Sequence, residues 1–214
     1  MSRRSEVVLF DLDGVLADSR GPIARHMNAA RQARGFPPVP EERLHPYIGP
    51  SLSFAFSDLL GLAPDDPEIA ELIHAYRERY ADSGLRETRA FAGIGDALAA
   101  VGEGRRLGVA TSKPRPYAEP LLEMLGLREH FEAIFAPQLD IHVETKTETV
   151  GAAMRFFGDA VATMVGDRHV DMAAAHAHGL RAVGVTWGIG SADELRSAGA
   201  DALVSEPAEL PASV

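Results

Sequence analysis

Short apolar runs alternate with helical patterns over the second half of the chain, and one further run lies near its start. Strands separated by helix-length segments favour a parallel sheet covered by helices on both faces. The pattern therefore predicts an α/β fold whose core is a Rossmann-like, doubly wound parallel sheet. The predicted strands lie at 7–10, 107–111, 133–136, 162–165, 182–186 and 202–204.

Helical patterns fill the intervals between these strands. Predicted helices begin near residue 92, cover 118–125 and 147–157, and follow Asp171 as far as Gly179. Ser191 and Glu194 have the spacing of a capping box, in which each side chain binds the backbone amide of the other residue. This pair predicts the start of the last helix.

The interval after the first strand carries three amphipathic stripes and no strong strand pattern. The first stripe runs from Pro22 to Gly35, and the second stops at Gly61, a residue type that commonly ends helices. Asp66 is placed to cap the third stripe, with Pro67 at its first position. The predicted bounds are 17–87 for an inserted small helical domain and 1–16 with 88–214 for the core.

Composition narrows the class of partner. The 214 residues carry a formal net charge of −10, which argues against a broad basic surface for nucleic acid or an anionic membrane. No cysteine is present, which excludes thiol chemistry and disulfides. No apolar stretch approaches the ~20 residues of a spanning helix, and the first residues lack a signal-peptide pattern. We expect a cytoplasmic protein, a monomer or small homo-oligomer, with a small-molecule partner.

Polar side chains follow several of the predicted strands. Asp11 and Asp13 come directly after the first strand, and residues two apart on an extended chain point to the same side. Two carboxylates so close need a divalent cation or a shared proton, and a carboxylate held by a hard metal can attack phosphorus. Ligands of doubly wound sheets bind at the carboxyl ends of the strands, where several polar residues are predicted to lie. The further candidates are Thr111, Ser112, Lys113, Lys146, Asp167 and Asp171.

These residues resemble the signature of the haloacid dehalogenase superfamily and, within it, the phosphoglycolate phosphatase-like branch. Segments 47–52 and 186–191 also look like this branch, so the resemblance covers nearly the whole chain. Val15, Ser112 and Thr147 depart from the residues usual at their positions, but none of them deletes a reacting group. The signature residues fall, in order, on Asp11, Asp13, Thr111, Lys146, Asp167 and Asp171.

The resemblance implies a Mg²⁺-dependent phosphatase acting on a small phosphorylated metabolite. Asp11 would attack phosphorus and form an aspartyl-phosphate. Asp13 would give a proton to the leaving group and later take one from water. Mg²⁺ would be held by Asp11, Asp167 and the backbone carbonyl of Asp13.

The same resemblance implies the groups that surround the substrate. Thr111, Ser112 and Lys146 would bind the phosphate, while Asp171 would orient Lys146 or a metal-bound water. Lys113 is a secondary candidate at the same edge. The helical domain would be a cap over the leaving group, and segment 47–51 is expected to contact it. The cap's polar candidates are Arg20, Arg25, Tyr47, Ser51 and Ser53.

Other functions share parts of this pattern. Val15 is similar to the residue that the superfamily's sugar-phosphate mutases have at this position. A mutase would return the phosphoryl group to a sugar. A signalling receiver also orders Asp, Thr and Lys around magnesium, but it lacks the helical insert and the Asp-x-Asp pair. Asp13 argues against carbon–halogen chemistry. A catalytically silent binding protein is also disfavoured, because none of the reacting groups is missing from the sequence. The resemblance suggests phosphoglycolate as the substrate, and a sugar phosphate, a nucleotide or a biosynthetic intermediate is equally compatible.

Overall fold

A parallel sheet forms the core of the protein. The computed structural model describes residues 6–139 and 145–214, and it has these strands: β1 (Glu6–Phe10), β2 (Ala17–Asp18), β3 (Arg89–Ala90), β4 (Arg106–Ala110), β5 (Ala133–Phe135), β6 (Val161–Gly166), β7 (Arg181–Val185) and β8 (Ala202–Val204). Six of them form one sheet in the order β5-β4-β1-β6-β7-β8, while β2 pairs with β3. All pairs in the large sheet are parallel, which confirms the predicted Rossmann-like α/β core.

The helices fall into two groups along the sequence. Those before β3 are α1 (Arg20–Ala33), α2 (Leu52–Leu60), α3 (Pro67–Arg79) and α4 (Leu85–Glu87). Those after β3 are α5 (Ile94–Val101), α6 (Arg115–Met124), α7 (Lys146–Phe157), α8 (His169–Ala177), α9 (Ala192–Ser197) and α10 (Leu210–Ser213). Short 3₁₀ turns lie at Glu41–Arg43, His45–Tyr47, Arg128–His130 and Pro207–Glu209, and a π-helical turn lies at Tyr80–Gly84.

Strand β1 lies at the centre of the sheet, between β4 and β6. Its residues after Glu6 are almost completely buried, because both faces of the sheet are covered. Opposite Leu9 on β4 is Gly108, where a Cβ atom would lie 2.9 Å from the ring of Phe157 in α7. The glycine therefore lets α7 pack directly on the sheet. This burial fixes the point at which the chain leaves β1, and that point is Asp11.

Three details of the predicted helices are wrong. Helix α6 begins at Arg115 rather than at 118, since Pro116 is well suited to the first turn of a helix. Helix α8 begins at His169 rather than after Asp171, because the Asp171 carboxylate accepts the Arg168 N–H (3.0 Å) and so caps the helix start. Only half of the expected capping box forms at α9. Ser191 Oγ accepts the Glu194 N–H (3.1 Å), but the Glu194 carboxylate binds α8 instead, where an amide and a cation are available.

The described chain divides into two compact units, of which Ser19–Arg89 is the helical one. Within this unit α1 packs against α3, and the Tyr76 and Tyr80 rings stack with centroids 5.2 Å apart. Helix α3 begins as predicted, with Asp66 Oδ1 accepting the Glu68 N–H (2.9 Å). The expected helical domain, 17–87, overlaps this unit, and its function as a cap stays a prediction. None of the described helices is long and apolar enough to span a membrane.

Candidate active site

The carboxyl edge of the parallel sheet collects the predicted site residues. Asp11, Thr111 and Asp167 each follow the last residue of β1, β4 and β6. The Asp11 N–H donates to Val165 O and the Thr111 N–H to Phe135 O, both at 3.0 Å, so each residue continues the hydrogen bonding of the sheet. Strand pairing therefore sets the position of each backbone.

Lys146 connects two of the acids. Its Nζ lies 2.7 Å from Asp11 Oδ1 and 2.9 Å from Asp171 Oδ1, and it also donates to Ala110 O at 3.0 Å. Burial alone would lower the pKa of Lys146, but the charges of Asp11 and Asp171 raise it above its usual range. The ammonium group is therefore a fixed positive charge beside Asp11. A capping box between Thr145 and Glu148 starts α7 and so places Lys146 in its first turn.

Asp11, Asp167 and Asp171 form a buried group of acids. One carboxylate oxygen from each lies within 4.8 Å of the others. Burial raises the pKa of Asp11 to about 6, with further contributions from Asp171 and Asp13, and against the opposing effect of Lys146. Burial, followed by the charges of Asp171 and Asp11, raises the pKa of Asp167 well above its ordinary value. Lys146 pairs with two of the three acids, and the charge of Arg168 makes a smaller contribution at Asp167, so within the described residues the carboxylates outnumber the positive charges beside them.

Asp167 supplies the clearest sign that a cation fits this group. Its Oδ2 accepts the Ile189 N–H at 2.7 Å, whereas its buried Oδ1 has no hydrogen-bond partner among residues 6–139 and 145–214. An unpaired buried carboxylate oxygen is costly, and a divalent cation would remove that cost. The donor set consists only of oxygens, which hard cations prefer. The residues present therefore fit a divalent metal.

Asp13 points its carboxylate at a different partner. Both of its oxygens lie 3.1 Å from Lys113 Nζ, and the two side chains are only 13% and 5% exposed. The Lys113 N–H also donates to Thr111 Oγ1 at 3.1 Å, which connects this pair to the end of β4. Lys113 was only a secondary candidate from sequence, since a lysine far along the chain carries no sign of its partner. Ser112 lies between Thr111 and Lys113 in the sequence and is half-buried at the same edge of the sheet.

A loop between β7 and α9 also contributes to the site, and sequence reasoning missed it. Besides the Ile189 amide on Asp167, Trp187 Nε1 donates to Val15 O at 3.1 Å. A Cβ atom at Gly188 would lie 2.4 Å from Asp167 Oδ2. The only available signal was the likeness of segment 186–191 to the family branch, because a backbone amide has no signature in sequence.

The chain is similar to known hydrolases over most of its length. Residues 8–185 match the family model of haloacid dehalogenase-like hydrolases. A 5′-nucleotidase of Pseudomonas aeruginosa is 38% identical over 193 residues, which cover 89% of this chain and 86% of that protein. An N-acetylmuramic acid 6-phosphate phosphatase of the same species is 30% identical over 211 residues, which cover 97% and 93%.

Solved structures give the same assignment. The crystal structure of a predicted phosphatase from Clostridium acetobutylicum has a TM-score of 0.91 and 31% identity, with 99% of this chain and 98% of that chain covered. The protein belongs to the haloacid dehalogenase-like hydrolase family. The family resemblance expected from the sequence is confirmed.

Proposed function

We propose that this protein is a magnesium-dependent phosphatase that hydrolyses a small phosphomonoester through an aspartyl-phosphate on Asp11. It belongs to the phosphoric monoester hydrolases, because it is a member of this hydrolase family and its relatives include a 5′-nucleotidase and a sugar-phosphate phosphatase. One observation carries the mechanism: Asp11 lies against the buried ammonium of Lys146, within a group of three acids. That environment suits a carboxylate that meets a phosphate dianion.

The reaction on Asp11 has two steps. A phosphate dianion repels an anionic nucleophile, so positive charge must surround both groups. Asp11 attacks phosphorus, the bond to the leaving oxygen breaks, and Asp13 supplies the proton that this oxygen takes. Water then attacks phosphorus, gives its proton to Asp13 and restores the Asp11 carboxylate.

The proposed cation site uses Asp11, Asp167 and the backbone carbonyl of Asp13. Magnesium prefers oxygen ligands in octahedral geometry, and the unpaired Asp167 Oδ1 supports this choice of ligand. When bound, the cation neutralises the acids and the phosphate and holds them together. Asp171, which contacts Lys146, would keep the lysine directed at Asp11.

Thr111, Ser112 and Lys146 would bind the phosphate. Thr111 Oγ1 accepts the Lys113 N–H, and this leaves its hydroxyl proton for donation to a phosphate oxygen. The Ser112 side chain and backbone amide follow at the same strand end. Lys146 adds a positive charge that binds Asp11 and the phosphate together.

The helical unit is proposed as the cap that selects the leaving group. Its segment around Tyr47 and Ser51 carries polar groups, although Ser51 Oγ accepts the Phe54 N–H at the start of α2 and the Tyr47 hydroxyl donates to Asp58. The two relatives above act, by their names, on a nucleotide and on an amino-sugar phosphate. We infer that the substrate is a small phosphomonoester of this range, with phosphoglycolate included. Testing the purified protein on such a panel, with and without magnesium, would rank them.

The deciding experiment follows the phosphoryl group. Rapid acid quench with a radiolabelled substrate should trap phosphate on the protein, and hydroxylamine should release it. Asp11→Asn should abolish both this species and turnover, whereas the matched exposed-site control Asp65→Asn should change neither.

The alternatives give different results. Transfer of the label to a second sugar hydroxyl without release of phosphate would indicate a mutase, and a long-lived phosphoprotein with negligible turnover would indicate a receiver. Normal hydrolysis by Asp11→Asn, with deamidation excluded, would contradict the assignment of the nucleophile.

A further inference from the structure

The loop at residues 186–191, which we call the clamp loop, gives the two Asp167 carboxylate oxygens different hydrogen-bonding environments. Ile189 donates its backbone N–H to Oδ2 at 2.7 Å, while Oδ1 has no hydrogen-bond partner within the described chain. A carboxylate with one oxygen held by an amide cannot rotate freely. Asp167 Oδ1 is therefore held in one orientation and stays available to a ligand.

Two glycines bring the loop backbone onto this acid. A Cβ atom at Gly188 would lie 2.4 Å from Asp167 Oδ2 and 2.5 Å from Gly14 O, and one at Gly190 would lie 2.0 Å from Asp167 O. Real Cβ atoms essentially never come closer than 3.0 Å to such neighbours. Any side chain at position 188 would therefore displace the loop, the acid or the turn that follows β1.

Trp187 connects the clamp loop to that turn. Its indole Nε1 donates to Val15 O at 3.1 Å, and its ring meets Phe91 edge-on with centroids 6.4 Å apart. Val15 follows Gly14, whose φ of 87° reverses the chain directly after Asp13. The same short loop thus contacts both the Asp167 carboxylate and the turn after the Asp-x-Asp pair.

We propose that the clamp loop positions Asp167 for a divalent cation and couples occupation of that site to the turn at Gly14 and Val15 through Trp187. The inference rests on the proposed function, which supplies the cation. Groups that orient a metal ligand without touching the metal commonly change affinity by about 10- to 100-fold when they are altered. The residues of the clamp loop are positioning residues in this sense.

Isothermal titration calorimetry with MgCl₂ tests the positioning. Gly188→Ala should weaken magnesium binding by about 10- to 100-fold, measured at a temperature at which circular dichroism shows that the variant is fully folded. Gly95→Ala is the matched control, since a Cβ atom there meets nothing closer than 3.9 Å. If Gly188→Ala does not fold, Trp187→Phe decides. It keeps a ring and removes one hydrogen bond, and it should weaken binding by about fivefold.

Fluorescence tests the coupling, because Trp187 is the single tryptophan of the chain. Its emission should change on titration with MgCl₂ and saturate at the dissociation constant found by calorimetry, and Asp167→Asn should abolish both signals. If Gly188→Ala, or Trp187→Phe where Gly188→Ala does not fold, bound magnesium with wild-type affinity, the inference would be overturned and the proposed function would stand. The same holds if the tryptophan emission did not change while calorimetry detected binding. Absence of magnesium binding in the wild-type protein would overturn the proposed cation site and this inference with it.

Discussion

At the residue scale, the pairing of Asp13 with Lys113 is a buried ion pair at the carboxyl edge of the sheet. The two side chains are nearly excluded from water, and both Asp13 oxygens lie 3.1 Å from the ammonium. Removing one partner of such a pair leaves a buried charge without compensation. The pair therefore constrains both the stability of the site and the orientation of Asp13.

Lys113→Met is expected to lower the free energy of unfolding by about 3 kcal/mol, because it strands the Asp13 carboxylate. Lys113→Arg should lower it less, since the charge remains. Urea unfolding at neutral pH measures both. The double variant Asp13→Asn/Lys113→Met should lose less than the sum of the single variants, and strict additivity would show that the pair contributes nothing.

Asp13→Asn is expected to bind magnesium and phosphate but to turn over ~10²–10⁴-fold more slowly on an alkyl phosphate, since it would lack the proposed acid/base group. The loss should shrink for p-nitrophenyl phosphate, whose leaving group departs without a proton. Steady-state rates on the two esters measure the difference. An equal loss on both would argue against leaving-group protonation by Asp13.

At the element scale, Glu194 links α9 to the start of α8. Its Oε1 accepts from the His169 N–H (3.0 Å), faces His169 Nδ1 (2.8 Å) and pairs with Arg168 Nε (3.0 Å). Burial would raise the pKa of Glu194, but these hydrogen bonds and the Arg168 charge lower it to about 2. The Glu194 side chain therefore connects two helices instead of capping the start of its own helix.

This link predicts a pH dependence of stability. The pKa of Glu194 is lower in the folded chain than in the unfolded one, so its contribution is complete above pH ~4.5 and is lost as pH falls towards 2. Glu194→Gln should remove about 1–2 kcal/mol at neutral pH, after allowance for solvent screening, and flatten the acid side of the stability curve. Urea unfolding between pH 7 and pH 3 measures it.

Asp193→Asn is the matched control for that series. Asp193 is the neighbouring acid, 94% exposed in its pair with Arg196, and its loss should leave the curve unchanged. If the free energy of unfolding of Glu194→Gln and of Asp193→Asn depended on pH in the same way at acidic pH, the link between α8 and α9 would contribute nothing to folding.

At the scale of the whole molecule, metal removal tests the sheet edge as a unit. Two of the acids follow β1 and β6 and the third lies in α8, so they come together only in the folded core. If the site binds a cation as proposed, that cation would offset their charge before a phosphate binds. Chelation should stop hydrolysis, and added magnesium should restore it. Undiminished turnover after verified metal removal would argue that Lys146 alone compensates the acids.

The sequence by itself determined the strands of the core to within one residue at each end, together with the end of α2 at Gly61 and the start of α3 at Asp66. These features depend on local chemistry: strands buried on both faces need continuous apolar runs, and helix ends need particular residues. The positions of Asp11, Thr111 and Asp167 followed as well, because parallel strands share one carboxyl edge.

Only the tertiary structure decided which side chains meet at that edge. Lys113 lies 100 residues from Asp13, the Ile189 amide lies 22 residues from Asp167, and the Glu194 carboxylate contacts α8 instead of completing its own capping box. The partner of a polar group is whichever donor or acceptor the fold brings within hydrogen-bond distance, and most buried polar groups have such a partner. Such partners depend on distant segments and on backbone amides, which every residue except proline carries, so no local pattern in the sequence specifies them.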